Sequence, residues 1–179
     1  MEMWRRHPHR IAGLVLCATF AHVPVTPRGR TRLRALGVAG RGIRAIPAPL
    51  RQAGFEQLLR QQTTGRDLGR WVLGEIRSCD PRLLLQAGGE IGRFDARNWG
   101  ATVDVPTSVM VMDRDTVVPP HRQSELAATI PEARRWNLDA DHDVCVMRAE
   151  IFMPAFLEAC DHAAREAASA PVSSLYSPP

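Results

Sequence analysis

Residues 105–115 read V-P-T-S-V-M-V-M-D-R-D, and residues 139–143 read D-A-D-H-D. The first stretch is an apolar run that breaks into acids at Asp113 and Asp115, the pattern of a buried strand ending in a polar turn. Between the two stretches, Pro119-Pro120 predicts a helix with Leu126, Ala127 and Ile130 on one face, stopped by Pro131. Residues 133–138 then alternate, with Trp136 and Leu138 on one side and Arg135 and Asn137 on the other, as an edge strand does. A further helix is predicted over 148–166, with a buried stripe of Ile151, Phe152, Ala155, Phe156 and Ala159 and a candidate kink at Pro154. Strand, helix, strand, helix implies right-handed crossovers and a parallel sheet, so the fold class is α/β.

Moving outward to the N-terminus, residues 1–8 read as a short helix closed by Pro8. The apolar run 11–20 has two readings. It is either a strand buried on both faces, or the centre of a signal peptide flanked by Arg5, Arg6 and Arg10. No small-x-small cleavage site follows it, and the strand is the better supported of the two. Residues 23–52 are rich in Arg, Gly and Pro. Residues 53–92 show helical spacing at Phe55, Leu58, Leu59, Leu68, Val72, Leu73 and Ile76, with a helix start at Asp80-Pro81. The organisation expected is therefore a core from residues 1–22 and 99–167, a helical cap insertion at 23–98, and a flexible Ser/Pro-rich tail at 168–179.

Composition narrows the function. At 179 residues, 45% hydrophobic and 23% charged, the chain has material for one packed domain and is not a disordered chain. All 23 basic residues are arginine, which excludes a catalytic lysine, a Schiff base or a P-loop. Residues 1–60 are net +9 and residues 61–179 net −5, so the basic character belongs to the N-terminal third. Its segment 28–51 has seven Arg and no acid. Few aromatics interleave and no zinc-finger or helix-turn-helix pattern occurs, so no nucleic acid is expected. Docking to an anionic membrane surface is open but not favoured over a plain Arg-rich segment. The four cysteines lack C-x-x-C spacing and read as free thiols in a reducing compartment, hence a cytoplasmic location.

In a parallel α/β sheet, functional groups gather beyond the carboxyl ends of the strands. Asp113 and Asp115 have that address after one strand, and His142 has it after the next. An acid that holds one ring nitrogen leaves the other free as a general base. Asp139, Asp141, His142 and Asp143 are adjacent and cannot all face one ion, so no metal and no cofactor is expected. His7, His9, His121 and His162 carry no spacing signal and read as exposed. Cys145 reads as packing or pocket lining, and Cys160 as core. Trp71, Trp99 and Met153 are candidates for lining a pocket, against the plainer reading of helix packing.

On these pieces the sequence resembles the C-terminal part of an α/β-hydrolase. The matching segments are V-P-T-S-V-M-V-M, then D-x-x-x-P from Asp115 to Pro119, the helix with Gln123, Leu126 and Ala127, I-P-E-A at 130–133, and D-H-D at 141–143. Upstream, R-R-H-P-H-R-I-A-G-L-V-L-C-A-T is similar to the helix end and strand that follow the nucleophile elbow in that family, and Phe94 to Arg97 precedes the second strand as in members with helical caps. The resemblance implies a partial α/β-hydrolase fold of about three parallel strands with flanking helices and a cap. It implies that Asp115, by its offset from Pro119, is the triad acid and His142 the triad histidine. Asp113 is the rival for the acid. Some members place the acid one strand earlier, but Ala18-Thr19-Phe20 offers no carboxylate. The implied substrate is a small-molecule ester or acyl compound selected by the cap. Esterase, haloperoxidase-like, dehalogenase and epoxide-hydrolase branches all remain open.

One departure is large. The family's G-x-S-x-G elbow, expected roughly ten to fifteen residues before Met1, does not occur in the chain, and both oxyanion-hole donors are likewise expected upstream. No serine of the chain sits in a glycine-flanked strand-to-helix turn. The chain therefore reads as a truncated or wrongly started form that keeps the Asp and the His without the nucleophile. The alternative is a non-catalytic remnant or an interaction module that uses the Arg-rich region. In either case the strand within 11–20 is expected to lie at an unprotected sheet edge.

Overall fold

The computed structural model describes residues 1–23, 26–60, 74–75 and 77–169, without the side chains of 58–60. In chain order its elements are α1 (Glu2–Arg6), β1 (Leu14–Cys17), α2 (Pro27–Gly42), α3 (Ala48–Arg60), α4 (Pro81–Arg93), β2 (Thr107–Met112), α5 (Pro120–Thr129), β3 (Arg134–Leu138), α6 (Val144–Met147) and α7 (Ala149–Ser169). The chain divides into two units, Met1–Pro24 with Asp95–Pro179, and Val25–Phe94.

The first unit is built on a three-stranded parallel sheet in the order β1-β2-β3. All six residues of β2 are buried, as a central strand covered on both faces requires. Met110 and Met112 point to one face, where they pack with Leu138, Ala140, Val144, Phe152 and Ala159. Ser108, on the same face, is wholly buried and donates to the Ala159 carbonyl of α7 at 3.0 Å. α5 packs on β2 as well, through a fully buried Leu126. It starts at Pro120, where a missing N–H costs nothing.

Three expectations need correction here. The strand expected within 11–20 is only four residues long, because Ala18 takes a left-handed backbone (φ 46°) and turns the chain away. It is half-exposed along its whole length, not buried on both faces, because it is an outer strand. In α7 the buried positions are Phe152, Ala159 and Ala163, with Ala155 and Phe156 partly buried, whereas Ile151 is 38% exposed. The stripe is otherwise the expected one, with Phe152, Ala155, Phe156 and Ala159 facing the core and only Ile151 falling off its edge. Pro154 does lie inside α7, where it withholds a hydrogen bond from Glu150.

The two outer strands are unlike. β3 presents Arg134 and Arg135 to solvent, with the Arg134 guanidinium 4.3 Å over the Trp136 ring. Such charges discourage edge pairing. β1 has none. Its ladder to β2 uses the N–H groups of Leu14 and Ala18, so those of Val15 and Cys17 face outward. We expect the purified chain to self-associate with rising concentration in sedimentation velocity. Val15→Pro, which removes only an outward donor, should reduce that association. A wild-type protein that stays a monodisperse monomer and melts sharply and reversibly would contradict this.

The second unit is helical among its described residues. α2 is capped by Thr26, which accepts from Gly29 N at 3.1 Å. α4 is capped by Asp80, which accepts from Arg82 N at 2.9 Å. That bond, with the neighbouring guanidinium groups, holds the Asp80 carboxyl below the usual carboxylate range. The two helices touch backbone to backbone. A Cβ at Gly89 would sit 2.6 Å from Gly37 Cα, so Gly89→Ala forces the helices apart. We expect it to cost about 1–3 kcal/mol. Gly54→Ala in α3, with nothing within 4 Å, should instead stabilise by about 0.5–1 kcal/mol. Equal urea midpoints for the two variants would contradict the close approach. Leu68, Val72, Leu73 and Ile76, expected to be helical, lie outside the described residues, as do residues 170–179 of the tail.

Candidate functional site

The site is assembled where β2 and β3 end. After Met112 the chain turns tightly, with Asp115 N donating to Met112 O at 3.2 Å, and this carries Asp115 back beneath the strand end. Its side chain has no exposed surface. Every direction around the carboxylate is used. Oδ1 accepts from Val117 N and Val118 N, both at 2.8 Å. Oδ2 accepts from Gln123 Nε2 at 3.0 Å and meets His142 Nδ1 at 2.8 Å. A buried carboxylate without such donors would be costly.

His142 follows β3, in the turn before α6. Three contacts fasten that turn to the Asp113–Asp115 segment. Asp113 N donates to Leu138 O at 2.8 Å, Arg114 N to Ala140 O at 3.1 Å, and Arg114 Nη2 to Asp139 O at 2.8 Å. Ala140 and Val144, on either side of His142, are anchored in the core. The imidazole between them is 41% exposed. With Asp115 as its acceptor, Nδ1 carries the hydrogen of the neutral ring, and Nε2 keeps a lone pair. The pair can thus take a proton at Nε2 while the buried carboxylate stabilises the imidazolium that results.

The structure brings Asp115 and His142 together and sets Asp113 aside, where Oδ1 accepts from Asn137 Nδ2 at 2.7 Å. Trp71 lies outside the described residues. The Trp99 ring stacks on Trp4, with centroids 6.4 Å apart, under the Arg5 guanidinium at 5.1 Å, and its indole N–H donates to Asp95 O at 2.7 Å. Met153 is 42% exposed on α7. Cys145 is exposed on α6, which corrects the packing reading of it: the neighbouring Val144 is the residue that packs. Cys160 is half-buried. His162 is a second correction. It is half-buried, lies 3.4 Å from Ser108 Oγ, and meets the Trp136 ring edge-on.

Burial pushes the Cys17 thiol up to about 11, and the nearby Cys160 and Cys145 thiols push the same way. It is protonated at neutral pH and is no nucleophile there. Among the described residues, no group of three or more His, Cys, Asp or Glu side chains is placed to hold a metal ion, and no helix is long and apolar enough to cross a membrane. Gln123, named in the sequence only as part of the α5 helix, is given no role there. It is fully buried and bonded to the acid, and neither the helix start three residues before it nor its place in the matching helix signals that bond.

No protein-family model and no curated protein matches this chain. Solved structures do. A hydrolase from Pseudomonas aeruginosa superposes with a TM-score of 0.63 at 23% identity, covering 89% of this chain and 59% of that one. An enol-lactonase from Burkholderia xenovorans gives 0.62 at 22% identity, covering 89% and 60%. A thermophilic esterase from Thermogutta terrifontis gives 0.59 at 22% identity, covering 87% and 57%. The described strands and helices are thus part of an α/β-hydrolase fold, and the chain spans about 60% of the length of the structures it matches.

Proposed function

We propose that this chain carries the acid and the histidine of a hydrolytic site of the nucleophile–histidine–acid type, acting on a small ester or other acyl compound. The observation that carries this is the 2.8 Å contact between a fully buried carboxylate and a half-exposed imidazole. In this reading the nucleophile comes from outside residues 1–179. His142 Nε2 takes its proton as it attacks the carbonyl and returns that proton to the leaving group. Asp115 fixes the ring and stabilises its charged form without itself being protonated. The lactonase and the esterase among the structural relatives both cleave acyl–oxygen bonds, which favours acyl chemistry over the dehalogenase and epoxide-hydrolase branches.

The nucleotide sequence just upstream of the Met1 codon tests this reading. The expected result is an in-frame segment that encodes a strand, a G-x-S-x-G-type turn and a helix. A stop codon or frameshift there would favour the non-catalytic remnant instead.

A further inference from the structure

We infer that Gln123 is a positioning residue for the Asp115–His142 pair, its side-chain amide fixing the plane of the Asp115 carboxylate and thereby the protonated face of the His142 ring. This rests on the function proposed above. Gln123 is 0% exposed and makes three hydrogen bonds at once. Its Oε1 accepts from Met112 N at 2.9 Å, and its Nε2 donates to Asp115 Oδ2 at 3.0 Å and to Val118 O at 2.7 Å. One partner is a donor and the other two are acceptors, so only one orientation of the amide satisfies all three.

The geometry gives this amide a role that the other bonds to Asp115 do not fill. Val117 N and Val118 N grip Oδ1 alone. A carboxylate held by one oxygen can still turn, because the terminal torsion of Asp is soft. Its other oxygen would then be held only by His142, whose ring is 41% exposed and free to follow it. Two mobile groups cannot orient each other. Gln123 supplies the fixed point, because its far end is tied to Met112, the last residue of the fully buried central strand. It leaves Oδ2 one remaining direction, toward Nδ1.

The competing explanation is that Gln123 only braces the 112–118 turn. Bracing shows in stability alone, whereas positioning shows in the ring of His142. The full chain labelled with 15N-histidine separates them. The wild type is expected to show His142 as one tautomer, Nδ1–H with Nε2 bare. Gln123→Met, close in size and without the amide, and Gln123→Asn, which keeps the amide but is one methylene too short, should both lose that single-tautomer pattern. Leu126→Val, a buried apolar change one turn along the same helix that removes no hydrogen bond to the acid, should keep it. The inference is overturned if either Gln123 variant folds and retains the wild-type ring pattern, or if Leu126→Val disturbs it equally. If Gln123→Met does not fold, the more conservative Gln123→Asn decides. A wild type without the Nδ1–H pattern would sink the functional reading itself, so the two failures are told apart.

Discussion

Purified residues 1–179 are expected to hydrolyse p-nitrophenyl acetate no faster than their own His142→Ala variant. General-base assistance of about 10²–10⁴-fold needs the reacting group held against the ring, which the pair does not achieve without the oxyanion-hole donors, and loss of the nucleophile from a working triad costs on the order of 10⁶ in turnover. Joining a nucleophile-bearing strand–turn–helix to the chain, as a fusion ahead of Met1 or as a second polypeptide, should raise the rate by a large part of that factor. The gain should vanish with His142→Ala and fall steeply with Asp115→Asn, which favours the wrong tautomer. Wild-type hydrolysis that already depends on His142 would contradict this division of the site. So would a complemented activity indifferent to His142.

The second large effect is on stability. Asp115→Ala leaves Val118 N and one hydrogen of the Gln123 amide buried without their acceptor, and takes the part-buried Val117 N–H from its own. Orphaned buried donors and a broken buried charge network cost about 3–5 kcal/mol. His142→Ala removes a half-exposed partner from the same carboxylate, which keeps its three other donors, and should cost under about 1 kcal/mol. Amide exchange at β2 measures both within the unit that holds the site. Similar losses for the two variants would mean that the carboxylate is not the buried, saturated group described above.

What was legible in the sequence follows from how local each signal is. The end of β2 could be read because six buried residues in a row break abruptly into charge, and because D-x-x-x-P fixes the offset of the acid from a helix start. The residues alone left Asp113 and Asp115 both open beside His142, and the preference for Asp115 came from the family resemblance, which matches it by that offset. β1 was over-extended because an apolar run says nothing of the left-handed turn at Ala18 that ends it. Ile151 was misplaced because a helical stripe defined by periodicity alone is uncertain by one position, and the sheet decides which position faces inward. Cys145, on a four-residue helix, does not pack, and His162, on the 21-residue α7, is half-buried, since burial of a single helical residue depends on tertiary packing. Gln123 was beyond reach: a buried glutamine that serves an acid and a surface glutamine on an amphipathic helix have the same sequence.

The central claim is spatial, and a crystal structure of the chain at neutral pH measures it directly. The expected result is Asp115 Oδ2 and His142 Nδ1 at a hydrogen-bonding separation near 2.8 Å, with Nε2 open to solvent. Side chains too far apart to bond, or directed to different faces of the sheet, would contradict it.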